Sequence, residues 1–160
     1  MSDRRQRQPW LPPRPVIRLA WRIHRALYRA TRGRAGLRPP KPDSWGTLHL
    51  TVVGRRTGRR RSVILAYFDD GPNLVTLAMN GWGAPEPQWW LNLQAHPEAA
   101  VELPERRGRT RRRLRVRAHA ATGGERDRLW DRWRAVERNL DAHAARRPGA
   151  TTIVVLEPAP

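Results

Sequence analysis

The sequence predicts an α+β protein in which about six mostly antiparallel strands curl into a barrel with flanking helices. Three observations carry that prediction. Short runs rich in β-branched and apolar residues, at 48–53, 62–68, 74–79, 99–103, 110–118 and 151–156, are punctuated by Gly, Pro, Asn and Asp. Most successive runs are separated by gaps too short for a crossover helix, so they join as hairpins. Two long stretches, one before the first strand and one before the last, repeat apolar residues at helical spacing.

Taken in order, residues 1–15 hold four Pro and four Arg and read as a loose arm. Val16, Leu19, Ala20, Ile23, Leu27 and Ala30 then recur at helical spacing, with Arg18, Arg22, Arg25, Arg29 and Arg32 on the other side. This basic amphipathic helix is expected to pack its stripe on the chain's own barrel. The competing reading lays it on an anionic bilayer with Trp21 and Tyr28 at the interface. The Pro-rich linker 33–45 ends the helix, which divides the chain into 1–45 (arm, helix, linker) and 46–160 (barrel domain).

Strands 48–53 and 62–68 flank the loop Gly54-Arg55-Arg56-Thr57-Gly58-Arg59-Arg60-Arg61. Its glycines are expected to turn the chain with positive φ and to leave backbone N–H groups free. Its five arginines add forked donors, a chemistry suited to phosphate. The spacing is neither GxxxxGK[ST] nor a GxGxxG opening a helix. A solvated hairpin tip is the competing reading.

Asp69-Asp70-Gly71-Pro72-Asn73 marks a turn into strand 74–79. The stretch 80–87, with two Gly and two Pro, is a loop, and 88–96 is a short helix bounded by Pro87 and Pro97. At least one of Trp89 and Trp90 belongs in the core. Trp82 stands between Gly81 and Gly83, where the backbone can approach a planar ligand closely. Strand 110–118 puts Arg111, Arg113, Arg115 and Arg117 on one face and Leu114, Val116 and Ala118 on the other. Thr122 and Glu125 match a capping box opening a single helix whose apolar face is Leu129, Trp133, Val136, Leu140 and Ala144. Strand 151–156 is too apolar for an edge, and no internal repeat is present.

A net charge of +18 favours nucleic acid, an anionic membrane or a polyanionic small molecule as partner. Lys41 is the one lysine, a skew to arginine that looks like coding in a GC-rich genome and discounts the charge. With no cysteine, disulfides, thiolate metal sites and thiol nucleophiles are excluded. The five histidines lack ligand spacing, so no metal site is expected, and no GxSxG supplies a nucleophile. No apolar run approaches the roughly 20 residues of a membrane span, and no signal-peptide core opens the chain. A cytoplasmic protein, associated at most peripherally with the inner face of the cell membrane, is expected.

The Gly-basic-basic-Thr-Gly loop closing on Arg61, the Asp-Gly turn, Pro87-x-Trp89-Trp90-x-Asn92-Leu93 followed by His96-Pro97, and the last strand ending in Glu157-Pro158 together resemble the deazaflavin-dependent nitroreductase family, from Thr47 to Pro158. The resemblance implies a split β-barrel of the flavin-reductase-like type. It implies binding of reduced coenzyme F420, ahead of FMN, and hydride transfer to a quinone-like, nitro or other planar electrophile. Arg55, Arg56, Thr57, Gly58, Arg59 and Arg61 would hold the phosphodiester and polyglutamate tail. Ala78, Met79, Asn80 and Gly81 would approach the ring, with Trp89 and Asn92 beside it. Leu140 and His143 stand where some members place tyrosines near the substrate, which makes His143, with Asn80, the candidate catalytic residue. Gly81-Trp82 and Pro85 replace the Gly-Gly pair and Lys common in relatives. The resemblance implies a small-molecule substrate; the basic first helix offers an anionic membrane surface as a second partner, and a second copy in a homodimer is a third candidate. Two other readings remain: a non-catalytic F420 or flavin binder, and, less favoured, an Arg-rich barrel binding single-stranded nucleic acid.

Overall fold

A computed structural model describes residues 12–30, 36–83, 85–104 and 112–160. The N-terminal arm through residue 11, Arg32, and the turn and strand start at 105–111 lie outside that set. So do the side chains of Trp21, Arg25, Leu27, Tyr28 and Arg29. The elements run α1 (Arg14–Ala30), β1 (Gly46–Val53), β2 (Arg60–Asp70), β3 (Asn73–Ala78), α2 (Gln88–Ala95), β4 (Glu98–Leu103), β5 (Arg112–Ala120), α3 (Gly123–Val136), α4 (Leu140–Ala144) and β6 (Thr152–Pro158). The six strands close into a barrel in the order β1-β2-β3-β6-β5-β4, every pair antiparallel. The expected α+β barrel with flanking helices is therefore present, and closure leaves no sheet edge to protect.

Period-two alternation sorts the strand residues between two apolar clusters. Leu48, Leu50, Val52, Leu65, Tyr67, Leu74, Val101, Val116, Val154 and Leu156 form the barrel interior, plugged by Trp89, Trp90 and Leu93 of α2. Both tryptophans of α2 are thus core. Phe68, Val75, Leu77, Ile153 and Val155 face the other way and are covered by Leu129 and Trp133 of α3 and Leu140 of α4. β3 and β6 are buried on both faces, which is why β6 reads as an apolar run and β3 is interrupted only by Thr76, whose hydroxyl donates to Ala66 O at 2.8 Å. β5 is covered on one face only, so Arg113, Arg115 and Arg117 remain exposed opposite Val116 and Ala118.

Several local expectations are corrected. Thr122 makes no side-chain capping bond; Gly123 follows it with φ of 53°, and Glu125 turns to His119, Oε2 to Nε2 at 3.3 Å. The single late helix is two, because the chain breaks at 137–139. Asp141 is drawn back onto α3, accepting from Trp130 Nε1 at 2.9 Å and Arg134 Nε at 2.9 Å.

The stripe of α1 does not pack on the barrel: Val16, Leu19 and Ile23 are 52%, 56% and 59% exposed. The apolar sheet faces are already covered by α2 inside and by α3 and α4 outside, so none remains for it. α1 instead seats its flank over a cleft. Ile17 Cγ2 would lie 3.3 Å from a Cβ placed on Gly81, so Gly81 makes room for the helix.

Candidate functional site

The β1–β2 connection is a tight loop held together by its own backbone. Gly54 N–H donates to Arg59 O at 2.8 Å, and the N–H groups of Thr57 and Gly58 both donate to Gly54 O, at 3.3 and 2.8 Å. Gly58 has the expected positive φ, at 64°. Gly54 does not share that positive φ; a Cβ there would sit 3.1 Å from Arg59 O, so the loop closes tightly against it. The N–H groups expected to cradle an anion are thus largely consumed inside the loop, and charge recognition passes to the guanidinium groups.

The loop is fixed to α2 by Asn92, a buried polar residue. Asn92 Oδ1 accepts from Arg55 N–H at 3.1 Å and from Arg55 Nη1 at 3.0 Å, while the same Nη1 donates to Gln88 Oε1 at 3.1 Å.

From this loop a cavity of about 1110 Å³ runs past α2 and the 80–87 segment to α3, α4 and the underside of α1. Of the residues expected at the site, Arg55, Arg56, Thr57, Arg61, Met79, Asn80, Gly81, Trp89, Asn92 and His143 line it. Three do not. Gly58 and Arg59 sit on the outer side of the loop, exposed. Ala78 is fully buried behind the wall, its carbonyl accepting from Arg147 Nη1 at 2.6 Å. Sequence reasoning missed Arg60 and Ser62 at the loop end, Trp45 and Trp133 deeper in, and Ile17, Arg18 and Arg22 of α1. Spacing could have hinted at none of the α1 contribution, because which helix face meets the barrel is decided by what the barrel leaves uncovered.

The aromatic end is built on a strained turn. Gly83 N–H donates to Asn80 O at 3.1 Å, closing a turn whose central residues Gly81 and Trp82 have φ of 57° and 59°. A turn with two left-handed central residues favours Gly or Asn, and a bulky side chain there costs about 1–2 kcal/mol. Packing offsets that cost: the Trp82 ring lies 5.6 Å from His143 and against the cluster around Trp133. His143 is 8% exposed, and neither ring nitrogen has a partner among the described residues. Burial holds its pKa below the ordinary histidine value, the Glu137 charge opposing and Arg146 reinforcing that shift. The imidazole is therefore neutral at neutral pH.

The cleft thus joins a cationic rim to an aromatic interior. The side chains of Arg56, Arg60 and Arg61 are exposed, with no hydrogen-bond or ion-pair partner among the described residues. A donor set of free guanidinium groups beside Trp and Met walls fits a cofactor with a planar ring and a phosphate- and carboxylate-bearing tail.

A closed antiparallel barrel plugged by a Trp-Trp helix, with such a cleft on one side, is the split-barrel architecture that the sequence resemblance implies. The chain belongs to the F420H(2)-dependent quinone reductase family, whose model matches residues 20–158. An F420H(2)-dependent quinone reductase of Mycobacterium tuberculosis is 35% identical over 102 residues, covering 63% of this chain and 66% of that protein, just under two thirds of its length. A second M. tuberculosis protein carrying the same family name is 31% identical over 124 residues, 78% of this chain and 96% of its own. Among solved structures, one described as a domain-swapped dimer matches with TM-score 0.63 at 19% identity, over 89% of this chain and 99% of that one. An F420-H2 dependent reductase matches with TM-score 0.60 at 19% identity, over 69% of this chain and 93% of that one. At such identities the solved structures establish the fold.

Proposed function

We propose that this chain is an F420H2-dependent oxidoreductase that reduces a quinone. The observation that carries the reading is the single cavity running from the free arginines of the β1–β2 loop to the tryptophans around His143. Reduced F420, when bound, supplies a hydride. The chain's own residues bind and orient: Arg56, Arg60 and Arg61 take the anionic tail, and Asn92 fixes the loop that carries them. Met79, Gly81, Trp82 and Trp133 form apolar walls that admit a planar acceptor and exclude water. Hydride and one proton convert a quinone to a hydroquinone, so the acceptor oxygen gains negative charge. Arg18 and Arg22 on the α1 side supply positive charge at the cleft, and Asn80 lines it as a polar group. Neutral His143 is the candidate donor of a hydrogen bond to the acceptor.

The same helix proposes how an apolar quinone is met. α1 turns Val16, Leu19 and Ile23 to solvent beside the cleft and carries Arg18 and Arg22, the pattern of a helix lying on an anionic membrane surface. No helix among the described residues is long and apolar enough to cross a membrane, so the contact proposed is peripheral.

The deciding experiment titrates the protein with F420, FMN and heme by absorbance and fluorescence, then follows F420H2 oxidation by a naphthoquinone. Saturable F420 binding with quinone-dependent turnover is expected. Binding without turnover would establish the non-catalytic carrier instead. Sedimentation with phosphatidylglycerol vesicles should retain the full chain and lose a chain lacking residues 1–30.

A further inference from the structure

We propose that Arg147, paired with Glu86, is a positioning residue that holds the cleft wall 79–83 in register with α4. Its side chain is 4% exposed, and it reaches three separate segments. Nη1 donates to Ala78 O at 2.6 Å and to Thr151 Oγ1 at 3.4 Å, and Nη2 donates to Glu86 Oε1 at 2.9 Å. The β3–β6 ladder ends at the pair Ala78 and Thr152. Beyond it the backbone bonds of the wall among the described residues are short-range, Met79 N–H to Leu77 O at 3.0 Å and Gly83 N–H to Asn80 O at 3.1 Å. Arg147 therefore grips the wall at the last residue where the sheet still holds it, and Glu86 where the chain returns toward α2. The backbone of Arg147 is itself bound to α4, N–H to Ala144 O at 3.0 Å, one residue from His143. One side chain thus fixes the relative placement of Trp82, on the wall, and His143, on the helix.

Stability alone does not account for this pair. A buried ion pair seldom repays its desolvation, and this one is incompletely satisfied, since Arg147 Nε and Glu86 Oε2 are buried without partners among the described residues. Replacing such a pair with volume-matched apolar residues is often neutral for stability. Positional specificity is what the charges add.

The inference rests on the reading of the cleft given above, and the experiment separates the two. The double variant Arg147→Met with Glu86→Leu removes both charges together and so leaves neither stranded; Arg147→Lys keeps the charge but not the fork. In the ligand-free double variant, amides 79–83 should exchange about tenfold faster or more, while those of β1 and β2 keep their rates. With cofactor, F420 affinity should stay within about twofold, because the rim arginines are untouched, whereas kcat/KM for the quinone should fall about tenfold or more. Arg147→Lys should fall between. Unchanged exchange at 79–83, or unchanged kcat/KM in a folded double variant, would overturn the proposal. If the wild type bound no F420, the functional reading would fail and the exchange measurement would still decide the role of Arg147.

Discussion

Asn92 Oδ1 accepts two hydrogen bonds from Arg55, one from its backbone and one from its guanidinium, and so locks the β1–β2 loop to α2. Asn92→Ala strands a partly buried N–H, and a loss of about 1–3 kcal/mol of stability is expected. F420 affinity should fall with it, because the loop loses its anchor. Asn92→Asp keeps the acceptor and adds charge, and should retain both. Denaturant unfolding and F420 titration measure the two effects; an Asn92→Ala variant with wild-type affinity would show that the loop needs no anchor.

The rim arginines differ in direction, and that difference is testable. Arg56→Ala and Arg61→Ala, both on the cavity, should each cost about 1.5–3 kcal/mol of F420 binding, tenfold or more. Arg59→Ala, on the outer side of the loop, should cost less than about twofold. Equal effects at all three positions would mean that the tail is held by diffuse charge.

His143 makes stability depend on pH in a defined direction. Its folded pKa lies below the unfolded value of 6.5, so the unfolded chain takes up the proton first. Its contribution is complete above 6.5 and is lost as the pH falls through the lower folded value. His143→Gln should flatten the decline of melting temperature between 6.5 and that lower value, the window in which the wild-type chain takes up a proton on unfolding.

Asp70 at the end of β2 is held by Arg128 through Nη1 and Nη2, at 2.9 and 2.8 Å, and by Arg132 Nη1 at 2.9 Å. The Arg128 hydrogen bond chiefly, against opposing burial, keeps its pKa below 3.8. Its contribution is therefore present above 3.8 and disappears as the pH drops through the folded value. Asp70→Asn should be less stable than wild type at neutral pH. That gap should close on acid titration of unfolding, and a constant gap would show that packing rather than charge is lost.

The strands were legible in the sequence because they rest on local pattern, whereas the capping box at Thr122 and the continuity of the late helix were misread from it. Alternation and turn residues specified the strands, and the apolar run of β6 announced a strand that is no edge. Gly58, Trp89 and Asn92 were legible as a motif with a chemistry attached. Only the tertiary structure decided where that chemistry points. Loop arginines four residues apart, Arg55 and Arg59, look equivalent in sequence, yet one bonds Asn92 on the cavity wall and the other faces away. The stripe of α1 predicted a buried face, but burial requires a vacant apolar surface, and α2, α3 and α4 had already taken it. The roles of Ile17 against Gly81 and of Arg147 between Ala78 and Glu86 join residues more than 60 positions apart. No local periodicity encodes such pairs, because closure of the barrel is what brings them together.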